Sequence, residues 1–442
     1  MHLINTMASG RWWNGSTGIG ELLQQFGWRL EKPFKRLKLC MADLHRAKAT
    51  VLMGICKNLC RVSRLALGAA AVILIIKVQP VGAEEIKLTD VFRAGSDGYH
   101  TYRIPAMVVT TNGKVLAFCE GRKNGRGDSG KIDLLLKRSE NQGRTWSSQQ
   151  IVWADGENCC GNPAPVVDSA TGFVWLLTTW NLGTDRERDI ERGTGHDTRR
   201  VFVTHSEDQG RSWTKPVEIT SSVKKPEWGW YATGPINGIQ LIHGPHKGRL
   251  VIPANHSETN QAGQPVSRSH VFFSDDHGKT WQLGGVEDEK TNESTIAELS
   301  DGALMQNMRT YSGKNQRAVA ISRDYGASWS AAKWDEALIE PVCQGSLLCF
   351  DQSKEGARPR LLFSNPASLK REKLTVRESK DDGATWVFSK VIWAGPAAYS
   401  CLTVMPDKSI GCLFECGEKN SYERISLATF PLSWLEATGG KP

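Results

Sequence analysis

Residues 139–146 read SENQGRTW, and the same pattern begins again at Ser206, Ser274, Ser322 and Ser379. Its shared form is Ser-x-Asp-x-Gly-x-Thr/Ser-Trp, and we call each copy an Asp box. The Asp can accept hydrogen bonds from backbone N–H groups ahead of it, the Gly allows positive φ, and the Trp buries a large flat face beneath the turn. Five copies at intervals of about 60 residues predict the blades of a β-propeller, in which the boxes have a structural role.

Pairs of short strands joined by tight turns occur six times along the same region. The clearest pair is 104–110 with 114–120, joined by Asn112-Gly113, a favoured hairpin turn. The other pairs are 164–168 with 173–180, 238–242 with 249–254, 294–299 with 303–308, 346–350 with 360–364, and 400–405 with 410–415. The last unit has a third strand at 424–430 but no fourth, so residues 86–92 are expected to complete it. The pattern predicts an all-β, six-bladed β-propeller with four antiparallel strands in each blade.

Residues 1–83 have a different character and are interpreted as a leader that precedes a propeller of residues 84–442. An apolar run at 65–76 follows basic residues and is followed by small residues ending at Ala83, the order found in a secretory signal. The run is short for a membrane span. A signal of ordinary length would begin at Met53 or Met41. We therefore expect export, with cleavage near Ala83.

Charge and cysteine content exclude several functions. The formal net charge of +8 comes from the leader, which has twelve Lys and Arg against three Asp and Glu, so the propeller gives no indication of nucleic-acid binding. Eight cysteines follow the leader, too few for a disulfide scaffold and without the spacing of a zinc site. We expect buried thiols or one or two bridges, and no metal.

Antiparallel pairing places the start of each first strand and the loop between the second and third strands on one rim, with the boxes on the other. Conspicuous polar residues on the first rim are candidates for function. They are Arg103, Glu293 and Tyr399 at strand starts, and Asp128, Arg309 and Arg371 between second and third strands. Each alone has an ordinary explanation as a turn or strand-end residue. Together they indicate a site at one end of the propeller axis.

The motif Tyr102-Arg103-Ile104-Pro105, followed by repeated Asp boxes, resembles the sialidases of cellular type over about residues 90–436. The resemblance implies an enzyme, independent of cofactors, that removes terminal α-linked sialic acids from glycoproteins, glycolipids and oligosaccharides. Sialic acid has a carboxylate on its anomeric carbon, which guanidinium groups can bind through bidentate, charge-assisted hydrogen bonds. By the resemblance, these groups are Arg103, Arg309 and Arg371.

The resemblance also implies the catalytic residues. Because the anomeric carboxylate disfavours an anionic nucleophile, sialidases are the tyrosine exception among retaining glycosidases. Tyr399 matches the nucleophile, Glu293 the base that takes its proton, and Asp128 the acid that protonates the departing oxygen. Such an acid is expected to have a pKa raised by a partly dry loop. Arg122 and Asn162 match secondary pocket residues.

Three residues are alternatives to these assignments, namely Arg377 for the third arginine, Glu298 for the base and Asp133 for the acid. Each is predicted to lie inside a strand, so the residues on the rim are preferred. The first box departs from the family pattern because Asn141 replaces Asp. This change should weaken one turn without changing the fold.

The sequence also has features that bear on three other functions. Gly127-Asp128-Ser129-Gly130 resembles the nucleophile segment of chymotrypsin-like proteases, but Lys131 stands where a second Gly belongs and no His segment precedes it. A glycan-binding propeller without activity would lack a catalytic residue, and none is missing. A trans-sialidase would transfer the sugar to another sugar instead of water. That choice depends on rim aromatics such as Trp228, Trp230 and Tyr231.

Overall fold

The computed structural model describes residues 85–350 and 360–437, which form an all-β fold with three short helices. The helices are α1 (Glu187–Glu191), α2 (Thr220–Val223) and α3 (Leu432–Glu436). No helix in this part of the chain has the length and apolar composition that crossing a bilayer would require. The predicted leader, with its apolar run at 65–76 and the possible starts at Met41 and Met53, lies outside the described residues.

The strands pair in antiparallel groups of four, except for the third group, which has five because its first strand is divided. The first strand of the described residues is β1 (Lys87–Arg93), which joins the last group. The first group is β2 (Thr101–Val109), β3 (Val115–Arg122), β4 (Ile132–Ser139) and β5 (Gln150–Trp153). The second is β6 (Cys159–Val167), β7 (Val174–Asn181), β8 (Arg200–Ser206) and β9 (Val217–Glu218). In the third, β10 (Tyr231–Thr233) and β11 (Ile239–Gln240) both pair with β12 (Leu250–Thr259), followed by β13 (Pro265–Ser274) and β14 (Gln282–Glu289).

The remaining groups follow the same order. The fourth is β15 (Thr291–Glu298), β16 (Leu304–Thr310), β17 (Gln316–Ser322) and β18 (Lys333–Ile339). The fifth is β19 (Ser346–Phe350), β20 (Arg360–Pro366), β21 (Glu372–Ser379) and the first half of β22 (Phe388–Val404). The second half of β22 starts the last group, which continues with β23 (Ile410–Cys416) and β24 (Arg424–Phe430).

The first and last described strands meet within one sheet. Strand β1 pairs with β24 from Lys87 opposite Thr429 to Arg93 opposite Arg424, which confirms that the N-terminal strand completes the last group. Neighbouring groups contact one another mainly through their first strands, except that the third and fourth groups meet through β12 and β15, and β22 contacts β2. The sheets therefore close on themselves as a β-propeller does, and apolar clusters fill the space between neighbouring sheets.

One predicted strand differs from the structure. The sequence predicts a single first strand at 238–242 in the third group, whereas the structure has two short segments, β10 and β11. Gly234 and Pro235 lie between them, and Gly234 has φ +68°. Proline cannot donate to a strand ladder, so the pairing is interrupted there.

The Asp boxes form the turns that their sequence predicts. In the box at Ser274, the serine Oγ accepts the Gly278 N–H at 2.8 Å, and the Asp276 carboxylate accepts the N–H and the hydroxyl of Thr280 at 2.9 and 2.7 Å. In the first box Asn141 accepts the Thr145 N–H at 2.9 Å and donates to the Thr145 hydroxyl at 2.9 Å. Asn141 therefore forms the same two hydrogen bonds as the aspartate of the other box, but it donates to the Thr145 hydroxyl, whereas the aspartate accepts from the hydroxyl of Thr280.

The glycine of each box packs against the preceding group of strands. A Cβ on Gly278 would lie 2.2 Å from Cε2 of Trp175 on β7, and one on Gly143 would lie 2.2 Å from Cδ2 of Leu427 on β24. Likewise, a Cβ on Gly383 would lie 2.8 Å from Cε of Met305 on β16. The boxes therefore pack neighbouring sheets against each other on the rim opposite the candidate site. This agrees with the structural role that the sequence predicts for them.

We expect Gly278→Ala to destabilise the protein by about 2 to 4 kcal/mol, because it adds left-handed strain at φ +87° and overpacks the Trp175 ring. Urea unfolding followed by tryptophan fluorescence measures this. The control is Gly248→Ala, where φ is +96° and no atom lies within 4 Å of the added Cβ. It should cost about 1 kcal/mol through strain alone. Equal losses in the two variants would contradict the packing argument.

Seven of the eight cysteines after the leader are buried thiols, and these seven form no disulfide within the described part of the chain. Cys349 is partly exposed. Of the two alternatives that the sequence leaves open, the structure has buried thiols. They fill space as small apolar side chains between strands.

Candidate active site

Strand irregularities at one rim position several of the predicted residues. In β2, β6, β15 and β22 the pairing slips by one residue near the strand start, between Arg103 and Ala106, Gly161 and Ala164, Thr291 and Ser294, and Ala397 and Ser400. The extra residue of a β-bulge bends the strand and redirects a side chain. Asn162, Glu293 and Tyr399 lie within these bulges, and Arg103 directly precedes one. All four line the same cavity at the end of the axis.

A phenol, a carboxylate and a guanidinium meet at the floor of this cavity. The Tyr399 hydroxyl donates to Glu293 Oε1 at 2.5 Å, although the two residues are more than a hundred positions apart in the chain. Arg309 Nη1 donates to Glu293 Oε2 at 2.7 Å and to the Tyr399 hydroxyl at 3.1 Å. Burial, reinforced by Glu293, raises the pKa of Tyr399 well above its usual range. The phenol is therefore protonated, with its proton directed at a carboxylate that can accept it.

A second buried carboxylate holds the first arginine and the strand of Tyr399 together. Glu415 accepts Arg103 Nε at 2.8 Å, the Ile104 N–H at 2.9 Å and the Tyr399 N–H at 3.2 Å. Burial opposes the charge of Arg103, but Glu415, together with Tyr399 and Tyr422, raises the pKa of the guanidinium well above its ordinary value. Arg103 Cζ lies 5.1 Å from the centre of the Tyr399 ring. Glu415 thus fixes the positions of a charged group and the phenol relative to each other.

The third arginine differs because no carboxylate among the described residues neutralises it. Arg371 Nη1 donates to the Tyr422 hydroxyl at 2.8 Å, and Nη2 donates to the Val342 carbonyl at 3.1 Å. Both acceptors are uncharged, and within residues 85–350 and 360–437 Arg371 forms no ion pair. Its Cζ lies 5.6 Å from the Tyr399 ring centre. The arginine therefore presents an uncompensated positive charge beside the phenol, where an anion would bind.

Asp128 lies on the loop between β3 and β4 and contacts Arg122. Arg122 Nη2 lies 2.7 Å from Asp128 Oδ1 and 2.6 Å from Glu120 Oε2, and Arg122 Nη1 donates to the Arg126 and Gly127 carbonyls. The Asp128 side chain is 54% exposed. Partial burial would raise the pKa of Asp128, but the Arg122 guanidinium lowers it below its ordinary value. The expected upward shift is therefore wrong for the unliganded protein, because the loop folds back onto a cation.

Asn162 belongs to a polar network on another wall of the cavity. Its Oδ1 accepts Thr179 Oγ1 at 3.0 Å and also Arg199 Nη2, and its N–H donates to Glu120 Oε1 at 2.8 Å. Arg199 Cζ lies 3.7 Å from the centre of the Trp230 ring. This network keeps the wall rigid and polar.

The alternatives from the sequence lie elsewhere. Arg377 on β21 donates to Asn365 Oδ1 at 2.9 Å, Asp133 on β4 accepts the Tyr99 hydroxyl at 2.6 Å, and Glu298 accepts backbone N–H groups at the far end of β15. None of them lines the cavity. Of the three aromatic residues that the sequence could not place, Trp230 lines the cavity, while Trp228 and Tyr231 are buried.

Sequence reasoning missed several residues of the site. Glu120 and Glu415 are carboxylates near the ends of largely apolar, buried strands, and a charge in such a strand was a usable signal because it needs a partner. Glu187 and Arg199 come from the connection between β7 and β8, which has no repeated pattern. Burial, together with Glu191 and Asp128, raises the pKa of Glu187 to about 7.

The cavity that these residues line has a volume of about 170 Å³. Three guanidinium groups surround the Tyr399 ring, and a carboxyl group stands on a loop at the entrance. The arrangement can bind a small anion, transfer the phenolic proton to Glu293 and supply a carboxyl group for acid or base chemistry at a bound ligand. Within the described residues no cluster of His, Cys, Asp and Glu could hold a metal ion.

Comparison with known proteins agrees with this geometry. Residues 113–412 match the family model of a BNR repeat-like domain. The chain is 35% identical over 374 residues to a sialidase of Micromonospora viridifaciens, a match that covers 81% of this chain and 56% of that protein. It is 34% identical over 370 residues to an exo-alpha-sialidase of Aspergillus fumigatus, covering 76% of this chain and 86% of that protein.

The fold is similar to that of a solved structure, the Hadza microbial sialidase Hz136. The TM-score is 0.70 at 30% sequence identity, and the match covers 79% of this chain and 69% of that one. The present chain spans little more than half the length of the Micromonospora relative.

Proposed function

Because the chain belongs to the sialidase family, we propose that it is a retaining exo-α-sialidase that hydrolyses terminal α-linked sialic acids from glycoproteins, glycolipids and oligosaccharides. The proposal includes a six-bladed propeller, with one blade for each group of four strands. One observation carries it, the 2.5 Å contact between the Tyr399 hydroxyl and Glu293 beneath the arginines. A phenol and a carboxylate at this distance form a nucleophile with its base.

In the proposed first step, the carboxylate of sialic acid binds among Arg103, Arg309 and Arg371. Arg371 supplies charge that no protein carboxylate neutralises among the described residues, and the other two are held by Glu415 and Glu293. Charge-assisted hydrogen bonds to a planar carboxylate are short and directional. Binding in this way brings the anomeric carbon, which bears the carboxylate, next to the Tyr399 hydroxyl.

In the next step the Tyr399 oxygen attacks the anomeric carbon while its proton passes to Glu293. Asp128 protonates the glycosidic oxygen, so the bond to the aglycone breaks as the bond to tyrosine forms. A bound sugar would cover the exposed face of Asp128, and the resulting desolvation would raise its pKa from the low value of the free protein. Arg122 holds the loop of Asp128 in reach of the cavity.

In the last step water replaces tyrosine on the sugar. Asp128, now ionised, removes a proton from water, and the Tyr399 oxygen recovers its proton from Glu293. Two displacements on opposite faces leave the anomeric configuration unchanged. The products are free sialic acid and the desialylated glycan.

The proposal is tested by incubating the full-length protein with an aryl α-sialoside at mildly acidic pH and following the released sialic acid by NMR. We expect release, with the α-anomer appearing first and then mutarotating. No release at any mildly acidic pH would reject the enzyme, and initial formation of the β-anomer would reject retention. Addition of lactose as an acceptor distinguishes hydrolysis from transfer, since transfer would give sialyllactose.

Asp128→Ala should show a dependence on the leaving group. We expect kcat/KM to fall by about tenfold or less for a nitrophenyl sialoside and by about 10²-fold for sialyllactose, because a good leaving group needs little protonation. The matched control is Asp97→Ala, an exposed loop aspartate that contacts Lys137 and does not line the cavity. Equal losses on the two substrates would show that Asp128 does not act as the acid.

Export stays a prediction, because the signal at 65–76 lies outside the described residues. N-terminal sequencing of protein recovered outside the cytoplasm of an expression host would test for cleavage near Ala83.

A further inference from the structure

A second cavity lies beside the catalytic one. It has a volume of about 390 Å³ and lies between α1, the outer parts of β12 and β13, and the start of β15. Five residues line both cavities, so the two spaces adjoin. They are Glu187, Trp230, Asn255, Asn292 and Tyr311. A ligand seated on the arginines can therefore extend into the second cavity.

Buried polar atoms without partners line this second cavity. Asn255 Nδ2, His256 Nε2 and Ser267 Oγ form no hydrogen bond with any residue that the structure describes, and Asn255 and His256 are 2% and 1% exposed. The carboxylate nearest to His256 Nε2 belongs to Glu258, at 3.5 Å. An unsatisfied buried polar group is costly and rare in a native fold. Three of them beside one cavity indicate a ligand that carries several hydrogen-bonding groups.

The positions of Asp128 and Arg122 exclude the aglycone from this cavity. Both line the catalytic cavity and neither lines the second. Since the glycosidic oxygen must lie beside Asp128 in the proposed mechanism, the aglycone leaves on that side. The second cavity therefore receives a part of the sialic acid remote from the anomeric carbon.

Sialic acid has two such parts, the N-acyl group and a three-carbon hydroxylated tail. An N-acyl group offers one carbonyl and one N–H, whereas the tail offers three hydroxyls spread over three carbons, a better match to three separate polar atoms. Trp230, Pro265 and Val266 add apolar surface to the lining of the cavity. Burial raises the pKa of Glu191, and the pKa of Glu187 is raised to about 7, so the Glu187 carboxyl can donate to a hydroxyl near neutral pH.

We propose that the second cavity binds the hydroxylated tail of sialic acid with room for an O-acetyl ester on it, so that the enzyme accepts 9-O-acetylated sialosides as substrates. This inference rests on the proposed sialidase function. The ester carbonyl accepts a hydrogen bond from Asn255 Nδ2 or the Ser267 hydroxyl, and its methyl group packs on the apolar surface.

The test measures kcat/KM on four aryl sialosides: the unmodified sugar, its 9-O-acetyl ester, a sugar with its tail shortened to one carbon, and the N-glycolyl sugar. We expect the wild type to treat the first two alike within about threefold. Ser267→Leu, which fills the cavity, should lower the ratio of ester to unmodified substrate by about tenfold or more and leave the short-tailed substrate unaffected. Val266→Phe provides a second filling variant, and Ser148→Leu, on an exposed turn after the first Asp box, is the matched control.

Three outcomes would overturn the inference. Wild-type hydrolysis of the ester at less than about one hundredth of the unmodified rate would show that the cavity rejects it. If Ser267→Leu lowered kcat/KM for the N-glycolyl substrate and left that for the ester unchanged, the cavity would bind the N-acyl group instead of the tail. Equal losses on short-tailed and full-tailed substrates would show that no tail binds there. Failure of the wild type on the unmodified sialoside would instead reject the proposed function itself.

Discussion

Tyr399→Phe is expected to lower kcat on an aryl α-sialoside by about 10³-fold or more, because it removes the oxygen that forms the covalent intermediate. The oxygen lies 2.5 Å from Glu293 and 3.1 Å from Arg309, and it is buried where no other described hydroxyl has the same two neighbours. The ring stays in place, so Arg103 and Arg371 keep the aromatic surface near which they lie. We therefore expect KM to change much less than kcat.

The matched control is Tyr102→Phe. Tyr102 is also a buried tyrosine, adjacent to Arg103 in the chain, but its hydroxyl donates to the Ser96 carbonyl at 2.8 Å instead of a carboxylate. Its loss should cost about 1 kcal/mol of stability and leave kcat near the wild-type value. Wild-type kcat in Tyr399→Phe would rule out the phenol as nucleophile. An equal loss of kcat in both variants would indicate a general effect of removing buried hydroxyls.

The repeated pattern made the sheets predictable. Residue types in the Asp boxes determine a turn locally, so the five turns and the strands around them follow from short stretches of sequence. The pairing of β1 with β24 was also predictable, because a sheet that lacks a strand leaves an open edge. The division of the first strand of the third group into β10 and β11 could not be predicted. Pro235 interrupts pairing only where the neighbouring strand requires an N–H donor, and the sequence alone does not give that position.

The candidate site was predictable only in part. Side chains on one rim could be identified from strand direction, and the resemblance gave each a role. The bulges that turn Glu293 and Tyr399 toward each other could not be predicted, because a bulge depends on the register between two strands. The same holds for the low pKa of Asp128, which arises because the loop returns to Arg122. The bulges and the pKa of Asp128 both depend on which strands and side chains become neighbours in the folded chain.

The other large effect is expected at Arg371, whose charge has no carboxylate partner among the described residues. Arg103 is held by Glu415 and Arg309 by Glu293, so part of their charge is already neutralised. Burial works against the charge of Arg371, but surrounding groups, Cys343 and Tyr399 first among them, keep its pKa raised. A substrate carboxylate would therefore gain most from this arginine.

Arg371→Leu is expected to lower kcat/KM for an anionic sialoside by about 10²- to 10³-fold, the loss that follows removal of one partner from a buried charge pair. Arg371→Lys should recover only part of this loss, since an ammonium group cannot bind a carboxylate through two parallel N–H bonds. A substrate whose carboxylate is replaced by a neutral amide separates charge recognition from a folding defect. On that substrate wild type and Arg371→Leu should be nearly equal. If Arg371→Leu instead lost the same factor on the acid and the amide, the arginine would support the wall through Tyr422 and Val342 and would not recognise the carboxylate.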